Sequence, residues 1–389
     1  MHFSIVPKLQ PLILSEPSEC RIVPCPSERW VVKNFHIAVF PADGIGPEVI
    51  ASGRRALEKL QELHAGVRFE FREFDWSSIY YQKTGAMMPR DGLQQLEHGG
   101  FDAILMGPVG SPDVPDHITL WGLLLPIRQG FEQYINLRPS RLLEGISTPL
   151  RNQNQRSLDM VCVRENSEGE YSGIGGRMHT HKPEEVAVQS IVFTRSITER
   201  VIRFTFEWAL KHNRKRVTSV TKSNSMQYNM VFWDDVFQQI ASGYPNLQND
   251  KQLVDSMTVR MVAHPETVDV FVASNLFGDI LSDLGAALTG SLGLAPSANL
   301  NPERKYPSLF QAVHGSAFDL VGKNEANPIA SIWSAQMMLE FLGEVELATG
   351  LMHAIEAVLR EERVRTRDLG GSNSTTEMTD AICQALETA

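Results

Sequence analysis

Asp279 and Asp283 stand four residues apart in VDVFVASNLFGDILSDLGAALTGSLGLAP, residues 268–296. On a helix that spacing places both carboxylates on one face, one turn apart. Two exposed acids so placed repel, and two desolvated ones are costly unless a cation lies between them. Leu276, Phe277, Ile280, Leu281 and Leu284 surround them, a poor composition for a solvated face. The pair reads as half of a site for a hard divalent cation. The competing reading is a first helical turn whose acids complement the helix dipole. Arg128 and Arg138 in PIRQGFEQYINLRP, and Arg164 in VCVRENSEGEY, are candidates for gripping small acids, because guanidinium groups pair carboxylates bidentately and stay charged. Ordinary surface salt bridges are the alternative for each, so the argument requires the three to converge. Lys222 beside Asn224 could act as a base if desolvated near cations, and Tyr171, in a glycine-flanked loop, as a proton donor. Both are equally readable as structural residues. Asp255 in KQLVDSM is inconspicuous alone, and His314-Gly315-Ser316 precede Phe318-Asp319 in a turn of the kind that grips a ligand.

The elements that must position these groups alternate between strand-like and helix-like patterns, which favours a layered α/β architecture. FHIAVF, FEFREFD, FDAILMGPVG, SLDMVCVREN, EEVAVQSIVFT and RVTSVTKSN read as strands. PADGIGPEV launches a helix through Leu60; Ser196 to Leu210, WDDVFQQIASGYP, SIWSAQMMLEFLG and the stretch near Thr376 to Leu386 read as further helices. Asp43, Arg164-Glu165, Lys222 and Asn275 gather at the carboxyl ends of apolar strands, where open α/β sheets bind ligands. Asp43-Gly44-Ile45-Gly46 invites a dinucleotide-fold reading, but it lacks the third glycine at the proper spacing and has Pro47 instead. No acid at the end of a second strand about 20 residues on completes the fingerprint. A standard Rossmann domain is therefore disfavoured.

The chain's 389 residues suffice for roughly two or three domains. A net charge of −10 argues against general binding to nucleic acid or anionic membranes. Cys20, Cys25, Cys162 and Cys383 form no CxxC motif, which is a reducing-compartment pattern. No apolar run approaches the ~20 residues that span a bilayer. Residues 1–34 read as an extension, and a targeting role for them is the alternative.

Together the segments resemble the decarboxylating β-hydroxyacid dehydrogenase family, which comprises isocitrate, isopropylmalate, tartrate and D-malate dehydrogenases. ADGIGPEV, INLRP, VRENSEGEYSG, TKSN, SNLFGDILSDLGAALTGSLGLAPSAN, VHGSA and ANPIASI occur in family order from about Phe35 onward. VPDHITLWGLLLPIRQGFEQYINLRPSRL and SANLNPERKYPSLF are most similar to the tartrate/D-malate branch.

The resemblance implies an isopropylmalate-dehydrogenase-like two-domain α/β fold with a mixed sheet flanked by helices. Residues 35–133 plus 290–389 would form the cofactor-binding large domain, and residues 134–289 the small domain with the dimer interface, metal and catalytic residues. It implies NAD-dependent oxidation of tartrate or D-malate, with metal-assisted decarboxylation to a keto acid such as pyruvate. Arg128, Arg138 and Arg164 would clamp the substrate, with Trp121, Leu124 and Leu125 shaping a pocket for a short C4 acid. Asp279 and Asp283, with Asp255 from a partner subunit, would hold Mg²⁺ or Mn²⁺; a monovalent cation is a further candidate. Lys222, also from the partner of a homodimer with shared active sites, would be the base and Tyr171 the acid. His314, Gly315, Ser316, Ala317, Asp319 and Asn327 would face NAD. An acid at Asp319 favours NAD over a 2′-phosphorylated cofactor.

Gln311-Ala312 and Phe318 depart from the family pattern in that loop, and Ala42 replaces a usual glycine. The expected location is the cytoplasm, with mitochondria as the alternative. The rival functions are an isopropylmalate or isocitrate dehydrogenase, or a non-catalytic regulatory homologue.

Overall fold

The computed structural model describes residues 32–151 and 158–388. Cys20, Cys25 and nearly all of the expected extension lie outside the described residues.

Short apolar runs rich in β-branched residues form the strands, and their burial on both faces requires helices on both sides. The described strands are β1 (Lys33–Phe40), β2 (Val67–Glu73), β3 (Ala103–Met106), β4 (Ile135–Arg141), β5 (Asp159–Glu165), β6 (Gly175–Met178), β7 (Val186–Gln189), β8 (Arg216–Thr221), β9 (Gln248–Leu253), β10 (Val270–Ala273), β11 (Pro296–Leu300) and β12 (Ser308–Ala312). Ten of them form one sheet in the order β2-β1-β3-β12-β11-β4-β5-β10-β8-β9. β2, β1, β3 and β12 run parallel to one another, as do β5, β10, β8 and β9. Antiparallel pairs β12–β11, β11–β4 and β4–β5 join these halves. This is the expected mixed α/β sheet, and it is not a Rossmann arrangement.

The antiparallel seam corrects one expectation. It reverses strand direction, so β5, β8 and β10 end on one edge while β1 ends on the other. Asp43 therefore does not share an edge with Arg164, Lys222 and Asn275. It is buried, and accepts from Ser78 N at 2.8 Å, Ser78 Oγ at 2.7 Å and Gly110 N at 2.9 Å. Gly44 has φ +61°, and a Cβ there would lie 1.9 Å from the Ser316 carbonyl oxygen. The glycine turn is a packing joint against the 314–317 loop. Ala42 adopts φ +57°, which is the physical reason that glycine suits this position.

One face of the sheet is covered by helices Gly46–Leu63, Arg195–Lys211, Asn229–Ala241, Ile329–Leu342, Val345–Glu361 and Thr375–Ala385, whose apolar stripes make the largest core cluster. On the other face two smaller clusters sit side by side. One lies under the helical run Asp116–Gly130 and the other under helices Val254–Ala263 and Asn275–Leu288. The candidate site lies where these two groups meet.

Several elements exceed the sequence reading. Helices Asp116–Gly130 and Val345–Glu361 and strands β11 and β12 were not expected from local patterns. EEVAVQSIVFT contributes only β7, which pairs with β6 as a hairpin whose eight residues are all exposed.

Candidate active site

Arg138 lies opposite Cys162 across the β4–β5 ladder, and Asn136 opposite Arg164. Strand alternation therefore sends Arg138, Cys162 and Arg164 to the same face. Helix Asn275–Leu288 crosses that face closely because Gly278 has no side chain; a Cβ there would lie 2.7 Å from Arg164 Cβ. Glu170 anchors the start of this helix, accepting from Ser274 Oγ at 2.8 Å and from Leu276 N at 3.0 Å. A carboxylate there satisfies free N–H groups and complements the dipole.

The helix presents a polar stripe to the arginines. Arg164 donates from Nε and Nη2 to Asn275 Oδ1 at 3.1 and 2.7 Å, and from Nη1 to Asp279. Arg138 Nη1 donates to Ser282 Oγ at 2.8 Å and lies 3.1 Å from Asp279 Oδ1 and 3.3 Å from Asp283 Oδ1. The Asp279 and Asp283 side chains keep 34 and 56 % of their surface exposed, so the pair is only partly desolvated, and Arg138 supplies part of the positive charge it draws. Tyr171 donates to Asp279 Oδ2 at 3.3 Å, with the Arg164 guanidinium carbon 5.6 Å from its ring centre.

Arg128 completes the cluster from the other side, at the end of the Asp116–Gly130 run. It is 4 % exposed, yet among the described residues its side chain has no hydrogen bond and no ion-pair partner. The Nε atoms of Arg128 and Arg138 are both buried and unpartnered. Burial first, then the charges of Arg164 and Arg138, pushes Arg128 well below its ordinary range. Three convergent guanidiniums with unused donors form a receptor for a small polyanion.

The acids respond to this field in opposite directions. Burial raises Asp279, but Arg164, Arg138 and Arg128 outweigh it and hold the carboxyl below its usual range. Asp283 is raised, mainly by burial and then by Asp279, with Arg138 opposing. Asp283 is consequently under-neutralised. Two hard oxygen donors one turn apart, one of them short of positive charge, fit a divalent cation as part of its ligand set. Among the described residues no three His, Cys, Asp or Glu side chains lie close enough to hold a metal together.

Lys222 and Asp255 stand apart from this cluster. Lys222 follows β8, and its Nζ donates to Asp255 Oδ1 at 2.6 Å, on the first turn of helix Val254–Ala263. Asp255 is lowered by that hydrogen bond. Neither residue bonds to the arginines, Tyr171, Asp279 or Asp283.

Of the expected pocket residues, Trp121 lies on a single π-helical turn, Leu120–Leu124, and its indole is 40 % exposed beside Gly173. Leu124 is buried in the core cluster with Phe40 and Trp76, and Leu125 is also buried. Only Trp121 of the three presents substantial free surface.

The expected cofactor residues fall together on the loop after β12. His314 Nδ1 lies 3.0 Å from the Gly315 carbonyl oxygen, while its Nε2 is buried without a partner, and burial lowers the imidazole. Ser316 Oγ is likewise buried and unpartnered. Ala317 adopts φ +41°, and Asp319 is exposed. Asn327 is buried, donating to Asp368 Oδ2 at 3.0 Å and accepting from Ile329 N at 3.0 Å. The orphaned polar atoms of His314 and Ser316 fit a polar cofactor edge. The Phe318 side chain is 44 % exposed, whereas Gln311 is in β12 opposite Ser297.

Sequence reading placed Glu165 and Asn275 only as polar strand ends, passed over Asn275 as an arginine ligand, and did not single out Ser282 or Glu170. Asn275, Asp279, Ser282 and Asp283 follow i, i+4, i+7, i+8, a polar stripe in an otherwise apolar helix that would have found two of them. Glu165 is fully buried and accepts from Ser167 N at 2.6 Å, Ser167 Oγ at 2.9 Å and Glu168 N at 2.9 Å. Burial nevertheless pushes it up to about 7.

Comparison with known proteins gives a consistent answer. A family model described as isocitrate/isopropylmalate dehydrogenase matches residues 36–382. A probable tartrate dehydrogenase/decarboxylase of Agrobacterium vitis is 53 % identical over 355 residues, covering 91 % of this chain and 98 % of that protein. The D-malate dehydrogenase [decarboxylating] of Escherichia coli (strain K12) is 48 % identical over 363 residues, covering 92 % and 99 %. Among solved structures, isocitrate dehydrogenase from Methylococcus capsulatus superposes with a TM-score of 0.81 at 32 % identity, covering 90 % of this chain and 99 % of that one.

Proposed function

Because the chain belongs to the isocitrate/isopropylmalate dehydrogenase family, we propose that it is an NAD-dependent, metal-requiring dehydrogenase that oxidises tartrate or D-malate and decarboxylates the keto acid formed from the latter. The observation that carries this reading is Arg128, buried among two other arginines with no carboxylate of its own. A dicarboxylate supplies the missing charge. The two relatives described above are named for tartrate and D-malate, which favours a C4 acid over isocitrate or isopropylmalate.

Arg128, Arg138 and Arg164 bind and orient the two carboxylates, so that the 2-hydroxyl faces Asp279 and Asp283. Asp279, Asp283 and the Asp255 of a second subunit would hold Mg²⁺ or Mn²⁺, which when bound supplies Lewis-acid polarisation of the substrate oxygens. His314 through Asp319 and Asn327 would hold NAD, the hydride acceptor. Lys222 of the second subunit takes the hydroxyl proton, and Tyr171, held protonated by burial and by Asp279, returns a proton to carbon after CO₂ leaves.

The split between the two groups of residues supports a homodimer with shared sites. Helices Val254–Ala263 and Asn275–Leu288 lie side by side over one core cluster. Around them Tyr228, Val259, Val262 and Ile280 are 82, 65, 46 and 55 % exposed. The exposed β6–β7 hairpin adds Ile174, Met178 and Val188 at 55, 60 and 57 %. Such apolar surface suits a two-fold contact that carries Lys222 and Asp255 to the neighbouring arginines.

The sheet order supports a two-domain division at residues 134 and 289, since 134–289 supply the contiguous strands β4-β5-β10-β8-β9 and the flanking segments supply β2-β1-β3-β12-β11. No described helix is long and apolar enough to cross a membrane; the cytoplasm is the proposed location. Assaying NADH formation from D-malate and tartrate with Mn²⁺ tests the reading, and binding without turnover would favour a regulatory homologue.

A further inference from the structure

The indole of Trp121 lies directly on the backbone of Gly173. A Cβ built on Gly173 would fall 2.6 Å from Trp121 Cη2, 2.9 Å from Cζ3 and 3.6 Å from Cζ2. No side chain can occupy position 173 while the ring keeps this seat. Gly173 also has φ +73°, a conformation that other residues adopt at a cost.

The contact joins the two sides of the candidate site. Trp121 belongs to the helical run that carries Arg128 in its last turn, and its π-helical turn Leu120–Leu124 is a departure from regular geometry of the kind that often re-aims a side chain at a functional site. Gly173 is two residues beyond Tyr171, in a tight turn. There Tyr171 N donates to Glu168 O and Ser172 N to Gly169 O, each at 3.3 Å, and Ser172 Oγ donates to Ser190 O at 2.8 Å. From this turn the Tyr171 hydroxyl reaches Asp279 Oδ2 at 3.3 Å. The indole meanwhile keeps 40 % of its surface exposed, outside the buried core clusters, so packing of the fold alone does not account for its placement.

We propose that Trp121 seated on Gly173 is a latch across the substrate cleft, with both acting as positioning residues that hold the Tyr171 turn against the helix carrying Arg128. This rests on the dehydrogenase reading above. With the latch made, Tyr171 is held at one distance from the reacting carbon. With the latch broken, substrate still binds the arginines, but Tyr171 loses its fixed position.

The test is a set of kinetic cycles on the full-length dimer with D-malate, NAD and Mn²⁺. Trp121→Leu is expected to lower kcat about tenfold while changing KM less than about threefold, the split expected when a transition-state contact is lost. Trp121→Phe is expected to recover most of that loss. In a Tyr171→Phe background, Trp121→Leu is expected to lower kcat no further, because the residue it positions is gone. Gly173→Ala is expected to lower kcat in wild type and to add little to Trp121→Leu, whose shorter side chain leaves room for the new methyl group.

Multiplicative losses in both cycles, or a rise in KM with kcat unchanged, would overturn the latch. A loss of thermal stability paralleling the loss of kcat across the variants would do the same. A wild type that oxidises none of the hydroxy acids overturns the dehydrogenase reading and the latch together, whereas an active wild type with independent variants overturns only the latch.

Discussion

Lys222 Nζ donates to Asp255 Oδ1 at 2.6 Å, on a part of the surface that makes no bond to Arg128, Arg138 or Arg164. Asp255 has a 61 % exposed side chain. The pair is complete as an ion pair, but incomplete as a base and a metal ligand unless a second copy brings it to the arginine cluster. Mixed dimers test this. Lys222→Met and Arg128→Met homodimers should each be inactive. Co-expressed heterodimers carrying one of each should regain about half of wild-type activity, because one of the two composite sites is whole. Heterodimers as inactive as their parents would place the site within a single chain.

Arg128 separates binding from stability. Arg128→Met removes a buried cation that has no partner, so the free protein should melt at the same temperature or higher. The same change should lower kcat/KM for D-malate by about 100-fold, as expected for loss of charge-assisted hydrogen bonds of roughly 1.5–3 kcal/mol. It should also abolish thermal stabilisation by dicarboxylates. Calorimetric melting with and without D-malate checks both parts, and a large destabilisation of the free protein would make Arg128 a structural residue.

Asp283 gives the corresponding test for the cation. Its carboxyl is raised by burial and by Asp279, so its ionised form is disfavoured in the metal-free protein. The side chain is 56 % exposed, so its replacement in Asp283→Asn should leave the melting temperature close to that of wild type. Mn²⁺-dependent turnover should fall by at least ~100-fold, given that even residues behind a ligand cost 10–100-fold. Near-normal Mn²⁺-dependent activity would remove Asp283 from the metal set.

Glu165 predicts a pH dependence of stability. Burial raises its folded pKa to about 7, against 4.5 for the free side chain. The folded state therefore holds a proton that the unfolded state loses, and stability falls as pH rises from about 4.5 to about 7. The span corresponds to ~3 kcal/mol. Glu165→Gln keeps an acceptor for Ser167 and Glu168 without the charge. Its melting temperature should match wild type near pH 4, exceed it increasingly up to about pH 7 and stay above it by a constant margin beyond, and parallel curves would refute the assignment.

The chemistry of the site was more legible in the chain than its assembly. Asp279 and Asp283 announced themselves by helical spacing in an apolar setting, and the structure puts them on one face as that spacing requires. Asn275 was visible as a polar strand end, yet its role depends on Arg164 two strand positions beyond Cys162, a long-range relation that local patterns do not contain. Asp43 misled because carboxyl-end clustering assumes a parallel sheet, and the β12–β11–β4–β5 seam reverses direction. Helix Val345–Glu361 carries Leu347, Leu351, Ile355 and Val358 at helical spacing, all buried, and its period was readable. The Trp121–Gly173 contact was not, because it joins a helical turn and a loop about fifty residues apart in the chain, on opposite sides of the cleft.

The central claim is that three arginines and two aspartates form a C4 hydroxy-diacid site. Its most direct measurement is steady-state kcat/KM for D-malate, the tartrate stereoisomers, 3-isopropylmalate and isocitrate, with NAD or NADP and Mn²⁺, alongside release of CO₂. D-malate or a tartrate should give the highest kcat/KM, with NAD preferred over NADP and CO₂ formed in step with NADH from D-malate. A higher kcat/KM for 3-isopropylmalate or isocitrate, or binding of these acids without any NADH, would contradict it.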